Sequence, residues 1–171
     1  GSGLAQVFAA VGYQVCLYDI SPKSLETSLN VIRTSLATFV ELDLMEENRI
    51  DKALANINTT LSLEEAVGEA ELIIEAIIEK IEEKEKIYRQ VDGLCPDDSI
   101  IASNTSYLNI FEVMPERRLP NTAIAHWFAP AHIMPLVEVV RGEQTSNETV
   151  NFLLDILRHV GKVPIVIEKY I

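Results

Sequence analysis

Gly1–Asp19, GSGLAQVFAAVGYQVCLYD, is the stretch whose reading decides the fold. Leu4, Val7, Phe8 and Val11 recur at helical spacing, Gly12 ends the helix, and QVCLYD reads as a strand closed by Asp19. A helix followed by a strand ending on an acidic residue is the second half of a dinucleotide-binding βαβ unit. In such a unit the acidic side chain accepts from the adenosine ribose hydroxyls. The first strand should precede the glycines, and nothing precedes Gly1. The G-x-G-x-x-G pattern breaks at its third position, Gln6, and Gly3 lies sixteen residues before Asp19 against the usual ~20. GSG is equally the tripeptide that a cloning step leaves behind. Gly1, Gly3 and Asp19 are the cofactor-binding candidates of this stretch.

The same alternation continues along the chain. Ser21-Pro22 caps a long helix to about Leu44, marked by Leu25, Leu29, Ile32, Leu36 and Phe39 on one face. Glu46–Ala55 is a further helix and NINTTLS a short strand; Ser62-Leu63-Glu64-Glu65 is a capping box opening a short helix to Val67. ELIIEAI reads as a buried parallel strand, with Glu79 just beyond it. EKIEEKEKIYRQVDGL is an amphipathic helix whose charge run reads as a solvated face. SIIASN is another buried strand, then Asn109–Met114 a short helix and Pro115–Asn121 a loop. AIAHWF and PLVEVV are strands around a Pro130–Pro135 turn region. Thr145-Ser146-Asn147-Glu148 is a capping box leading a helix to His159, Gly161 stops it, and KVPIVIE is the last strand. Strands alternating with helices predict an α/β, Rossmann-like, doubly wound and mainly parallel sheet.

HWFAPAHIMPLVEVVRG, His126–Gly142, holds an ionisable pair on two adjacent apolar strands. Desolvating His126 and Glu138 is costly unless they meet. A carboxylate that accepts from one imidazole nitrogen fixes the tautomer and leaves the other nitrogen as a base. The alternative is a lone histidine at a strand end with a glutamate facing solvent. Asp19, Glu79, Asn104, Ser106 and His126 all fall at strand carboxyl ends, where ligands bind in sheets of this kind. His132 and His159 read as surface residues, and Trp127, Phe128 and Cys16 as core.

At 171 residues, 48% apolar and 23% charged, the chain reads as one domain with a real core. No apolar run approaches the ~18 residues of a membrane span. Cys16 and Cys95 lack metal-ligand spacing and read as reduced thiols, which points to a cytoplasmic protein without a bound metal. A net charge of −12 argues against a nucleic-acid partner.

The segments VFAAVGYQVCLYD, LIIEAIIEKIEEKEKIY, IIASNTSYL, AHWFAPAHIMPLVEVVRGEQTS and ILRHVGKVPIVIEK resemble, in order, one known family. It is the NAD-binding domain of L-3-hydroxyacyl-CoA dehydrogenases, including the lambda-crystallin/L-gulonate 3-dehydrogenase branch. The resemblance implies NAD as cofactor, a small-molecule acyl-CoA or 3-hydroxy-acid substrate, and a homodimer for the full-length protein. It implies His126 as the base for the substrate 3-hydroxyl, Glu138 as the carboxylate that orients it, and Ser106 as a hydrogen-bond partner of the substrate oxygen. Asn104 is similar to the family's asparagine beside cofactor and substrate. Asp19 is similar to its ribose acceptor, and Glu79 and Lys84 to an E-N-x-x-x-K segment near the nicotinamide. Three functions follow as expectations: oxidation of a 3-hydroxyacyl-CoA, oxidation of a 3-hydroxy acid such as L-gulonate, or a non-catalytic crystallin-like or nucleotide-binding role.

The chain departs from that family at Ala129 and Lys80, each in place of a usual asparagine, and the resemblance implies a deletion of about five residues around the third glycine. The first strand and the helical C-terminal domain, with the asparagine-bearing segment before it, are missing from 1–171, so the domain reads as incomplete at both ends. A polypeptide of these residues alone is expected to bind NAD weakly or not at all and to show no turnover. Tight NAD binding by it in titration calorimetry would overturn that expectation.

Overall fold

The structure, a computed structural model, describes residues 1–168; residues 169–171, the end of the expected domain, lie outside the described part. The chain divides into two compact units, Gly1–Ala66 with Pro130–His132, and Val67–Ala129 with the chain from Ile133 on.

The first unit holds α1 (Ser2–Ala10), β1 (Val15–Tyr18), α2 (Pro22–Glu41), α3 (Asn48–Ala55) and β2 (Ile57–Thr60). β1 and β2 pair in parallel, from Val15 opposite Ile57 to Tyr18 opposite Thr60. Ala5 and Ala9 of α1 are small enough to pack closely into a core with Ile32 and Leu36 of α2, Ala53 of α3 and Ile57. The α1 terminus follows from Gly12: at φ +102° it takes the left-handed conformation. Its N–H bonds Ala9 O, and the next N–H, of Tyr13, bonds Phe8 O. Ser21 caps α2 by accepting from the Ser24 N–H at 3.3 Å, with Pro22 in the first helical position.

Two expectations for this unit change. The helix starts at Ser2 with Gly1 at its N-cap, so Gly3 is a helical residue and not part of a phosphate loop ahead of the helix. Cys16 is exposed, because β1 pairs only with β2 among the described residues.

α4 (Leu63–Val67) leads into the second unit. There, β3 (Leu72–Glu75), β4 (Ile100–Ser103), β5 (Thr122–Trp127), β6 (Leu136–Arg141) and β7 (Val163–Ile167) form one sheet in chain order. β3, β4 and β5 are parallel, β6 runs antiparallel to β5, and β7 runs parallel to β6. α5 (Ile81–Leu94) follows β3, and α6 (Asn147–His159) connects β6 to β7 and packs on both. The fold is thus α/β, Rossmann-like and dominated by parallel pairing. Leu72, Ile73 and Ile74 are only half-buried, as befits a strand with one neighbour among the described residues.

The expected Asn109–Met114 helix is a 3-10 turn at Ile110–Glu112, and the expected Pro115–Asn121 loop holds another at Glu116–Asn121. Arg118 is the reason for the second. It is buried and donates to the carbonyls of Asp92, Cys95, Pro96 and Asp97, satisfying the open end of α5. The cap of α6 is Ser146, which accepts from Thr149 N–H at 3.1 Å; Glu148 plays no reciprocal part. No helix among the described residues is long and apolar enough to cross a membrane.

Gly142, just past β6, lies against the Phe111 ring. A β-carbon there would sit 2.6 Å from Cδ1 and 3.0 Å from Cγ, so the whole ring must shift. Gly142→Ala is expected to destabilise the fold by about 1–3 kcal/mol. Denaturant unfolding checks this, and an unchanged midpoint would refute the tight contact.

Candidate active site

β5 and β6 are adjacent, antiparallel and apolar, and Pro135, which cannot donate to the ladder, sits just before β6 begins. The register sets His126 directly opposite Glu138. Their side chains meet: His126 Nδ1 lies 2.8 Å from Glu138 Oε2, with the two side chains 20% and 27% exposed. With Glu138 accepting from Nδ1–H, Nε2 is the ring nitrogen left with the lone pair. The Phe128 ring packs at 4.7 Å, centroid to centroid, against the imidazole; it is half-buried rather than core. Trp127 is buried as expected.

The segment after β4 supplies the second set of groups. Asn104 Oδ1 accepts the Trp127 N–H at 2.8 Å, which ties the end of β4 to the residue beside His126. The Asn104 N–H itself donates to Glu75 O at 2.8 Å. Thr105 is buried and its hydroxyl donates to Glu79 in a short hydrogen bond. The Ser106 N–H donates to Glu79 Oε1 at 2.9 Å, while the Ser106 side chain is exposed.

Glu79 therefore faces three donors, the third being Lys84 Nζ at 3.1 Å. Burial would raise its pKa, but the Thr105 hydroxyl, the Ser106 N–H and the Lys84 ammonium outweigh it and hold the carboxyl below its usual range. Lys84 departs from the solvated face expected for its helix. Its side chain is 1% exposed and its ammonium also lies 2.8 Å from Glu75, so it supports Glu79 from behind and presents no open cationic surface.

Glu75 is the residue that sequence reasoning passed over. It sits near the end of an apolar strand and accepts from Lys84, from Tyr88 OH at 2.6 Å, from Ser103 Oγ at 2.6 Å and from Ile77 N–H at 2.8 Å. Burial first, and then the neighbouring Glu75 charge, push the Tyr88 hydroxyl far above the ordinary phenol range, which keeps it a donor. The available signal was the lone charge in LIIEAI: a buried carboxylate requires donors to meet it.

In the first unit, Asp19 directly follows β1, and its Oδ1 accepts from Ser21 N–H at 2.8 Å. Gly1 and Gly3 lie at the N-terminus of α1, where Ala5 N–H is the first to bond within the helix, to Gly1 O at 3.0 Å. A β-carbon on Gly3 would lie 3.4 Å from that of Ala131, in ordinary van der Waals contact. His132 packs edge-on against Phe39 and is half-buried, whereas His159 is exposed.

Comparison with known proteins gives the family. Residues 1–170 match the family model described as 3-hydroxyacyl-CoA dehydrogenase, NAD binding domain, and the chain belongs to that family. It is 34% identical over 171 residues to a protein named probable 3-hydroxybutyryl-CoA dehydrogenase from Bacillus subtilis, covering 99% of this chain and 59% of that one. It is also 34% identical to 5-formyl-3-hydroxy-2-methylpyridine 4-carboxylate 5-dehydrogenase from Mesorhizobium japonicum, over 99% of this chain and 54% of that one. Among solved structures it superposes on (S)-3-hydroxybutyryl-CoA dehydrogenase PaaH1 from Ralstonia eutropha with a TM-score of 0.93 and 31% identity, over 99% of this chain and 60% of that one. The chain thus spans less than two thirds of each of these relatives.

The cofactor of this family is NAD. The donor set of the first unit fits it: helix N–H groups suit phosphate oxygens, and a carboxylate at a strand end suits ribose hydroxyls.

The Glu79 carboxyl titrates below its unfolded value. Its bonds therefore stabilise the 105–106 turn fully above about pH 4.5, and this is lost as pH falls through the lower folded value. In an NMR titration the Ser106 amide resonance is expected to move with a midpoint below 4.5. A midpoint at or above the ordinary value would remove the bond from the account.

Proposed function

We propose that this chain is the cofactor-binding and catalytic part of an NAD-dependent dehydrogenase that oxidises the 3-hydroxyl of a 3-hydroxyacyl-CoA. The observation that carries the reading is the 2.8 Å contact between His126 Nδ1 and Glu138 Oε2 across the β5–β6 pair. His126 Nε2 takes the proton of the substrate hydroxyl. Glu138 holds the ring in the required tautomer and stabilises the imidazolium that results. NAD, when bound, supplies the hydride acceptor that makes loss of that proton productive. Ser106 Oγ hydrogen-bonds the substrate oxygen, and Asn104 Nδ2, left over after Oδ1 binds Trp127, faces cofactor or substrate. Asp19 would hold the adenosine ribose and the α1 N-terminus, with Gly1 and Gly3, the phosphates. Glu79 would approach the nicotinamide side, with Lys84 acting through Glu79.

The likeness to proteins named 3-hydroxybutyryl-CoA dehydrogenase supports a thioester substrate. An equal identity to the pyridine-carboxylate dehydrogenase supports a second reading, a free 3-hydroxy acid such as L-gulonate or a related hydroxylated acid. Exposed Ala129, where the family's asparagine would add a polar contact, instead favours the non-catalytic reading, whereas Ser106, His126 and Glu138 favour the enzyme. A homodimeric full-length protein acting in the cytoplasm completes the proposal; both cysteines are free thiols.

The test is turnover by the full-length protein with both substrate classes. His126→Ala is expected to lower kcat by about 10²- to 10⁴-fold, and Glu138→Gln to lower kcat with little change in the KM for NAD. Unchanged activity in His126→Ala removes that residue from the mechanism. A wild type that binds NAD yet oxidises neither substrate class favours the nucleotide-binding, crystallin-like reading instead.

A further inference from the structure

Three consecutive backbone amides lead into the candidate site, and each is bound by a group tied to one buried carboxylate. The Asn104 N–H donates to the carbonyl of Glu75 itself, at 2.8 Å. The Thr105 N–H donates to Ser103 Oγ at 3.3 Å, and that hydroxyl in turn donates to Glu75 Oε2 at 2.6 Å. The Ser106 N–H donates to Glu79 Oε1, and Glu79 is joined to Glu75 through the single ammonium of Lys84. Tyr88 OH and the Ile77 N–H complete the shell of Glu75.

A carboxylate offers about four lone-pair sites, and here both oxygens are engaged by protein donors. That arrangement commits the Glu75 carboxylate to protein donors. It is also more elaborate than stability alone requires, since apolar residues of similar volume commonly replace a buried ion pair without loss. What an apolar residue at 75 would not reproduce is the route from the β3 end to the Thr105 and Ser106 amides.

We infer that Glu75 is a positioning residue, which sets the Asn104–Ser106 turn through Ser103 on one side and through Lys84 and Glu79 on the other. It thereby aims Ser106 Oγ and the Asn104 amide at the reacting groups. The kinetic part of this inference rests on the dehydrogenase reading given above; the structural part does not. A misplacement of about 1 Å in groups that orient substrate lowers rates by up to 10²-fold. A local slackening of this turn is therefore visible in turnover while the rest of the sheet stays intact.

The test is Glu75→Gln in the full-length protein, which keeps the shape but removes the charge that gathers the donors. Amide hydrogen exchange should quicken at least about tenfold at Thr105 and Ser106 while the α6 amides keep their protection, as expected for a local opening. Turnover should fall about ten- to a hundredfold. In a Ser106→Ala background the same substitution should cost much less, because the group it positions is already gone. Equal costs in both backgrounds, or exchange that quickens uniformly across α6 and the turn, would overturn the inference and leave Glu75 a purely structural residue. Where Glu75→Gln does not fold, Ser103→Ala cuts one route alone. It should quicken exchange at the Thr105 amide and spare α6, and unchanged Thr105 exchange would again overturn the inference. A wild type without dehydrogenase activity sinks the functional proposal, whereas the exchange measurements still decide the positioning role.

Discussion

A carboxylate near the end of an apolar strand must be met by donors, and how Glu75 is met shapes the second unit. Its partners come from three elements: Lys84 and Tyr88 from α5, Ser103 from β4, and Ile77 from the turn that follows β3. That requirement turns one face of a charge-rich helix inward, so that α5 packs with a lysine and a tyrosine buried. Removing one partner of such a buried pair typically costs about 3–5 kcal/mol because the other charge is left uncompensated. The cluster therefore ties α5, β3 and β4 together.

The His126–Glu138 pair obeys the same physics at the open side of the sheet. Both side chains are half-buried, and their meeting depends on the antiparallel pairing of β5 with β6. A slip of one residue would point Glu138 to the opposite face. The buried cluster and the histidine pair are linked by Asn104, which bonds the β3 end with its backbone and the β5 end with its side chain. A hydrogen-bonded polar network thus stands directly behind the His126–Glu138 pair, and Ser106 is the exposed end of it.

Much of the fold was legible because periodicity reports it directly. The alternation of helices and strands, the cap at Ser21 and the stops at Gly12 and Gly161 follow from spacing, from a hydroxyl before a proline, and from glycines that adopt positive φ. The 3-10 turn around Arg118 was not legible, since it exists only because the guanidinium finds carbonyls at the end of α5, more than twenty residues earlier. Cys16 read as core from its apolar neighbours but is exposed, because burial of a strand residue depends on what covers the strand. Lys84 erred the other way: a lysine in a run of charges reads as solvated until two carboxylates from outside its helix claim it.

The sequence by itself determined the order of elements, the α/β class, the family resemblance and the two residues of the histidine–carboxylate pair, because periodicity and motif order are local properties of a chain. Tertiary structure alone decided which charges were buried, that Glu75 is the hub and Lys84 its inward counter-ion, and that His126 faces Glu138 at hydrogen-bond distance. Those outcomes depend on strand register and on groups brought together from distant positions, and desolvation exacts its cost only once they are packed.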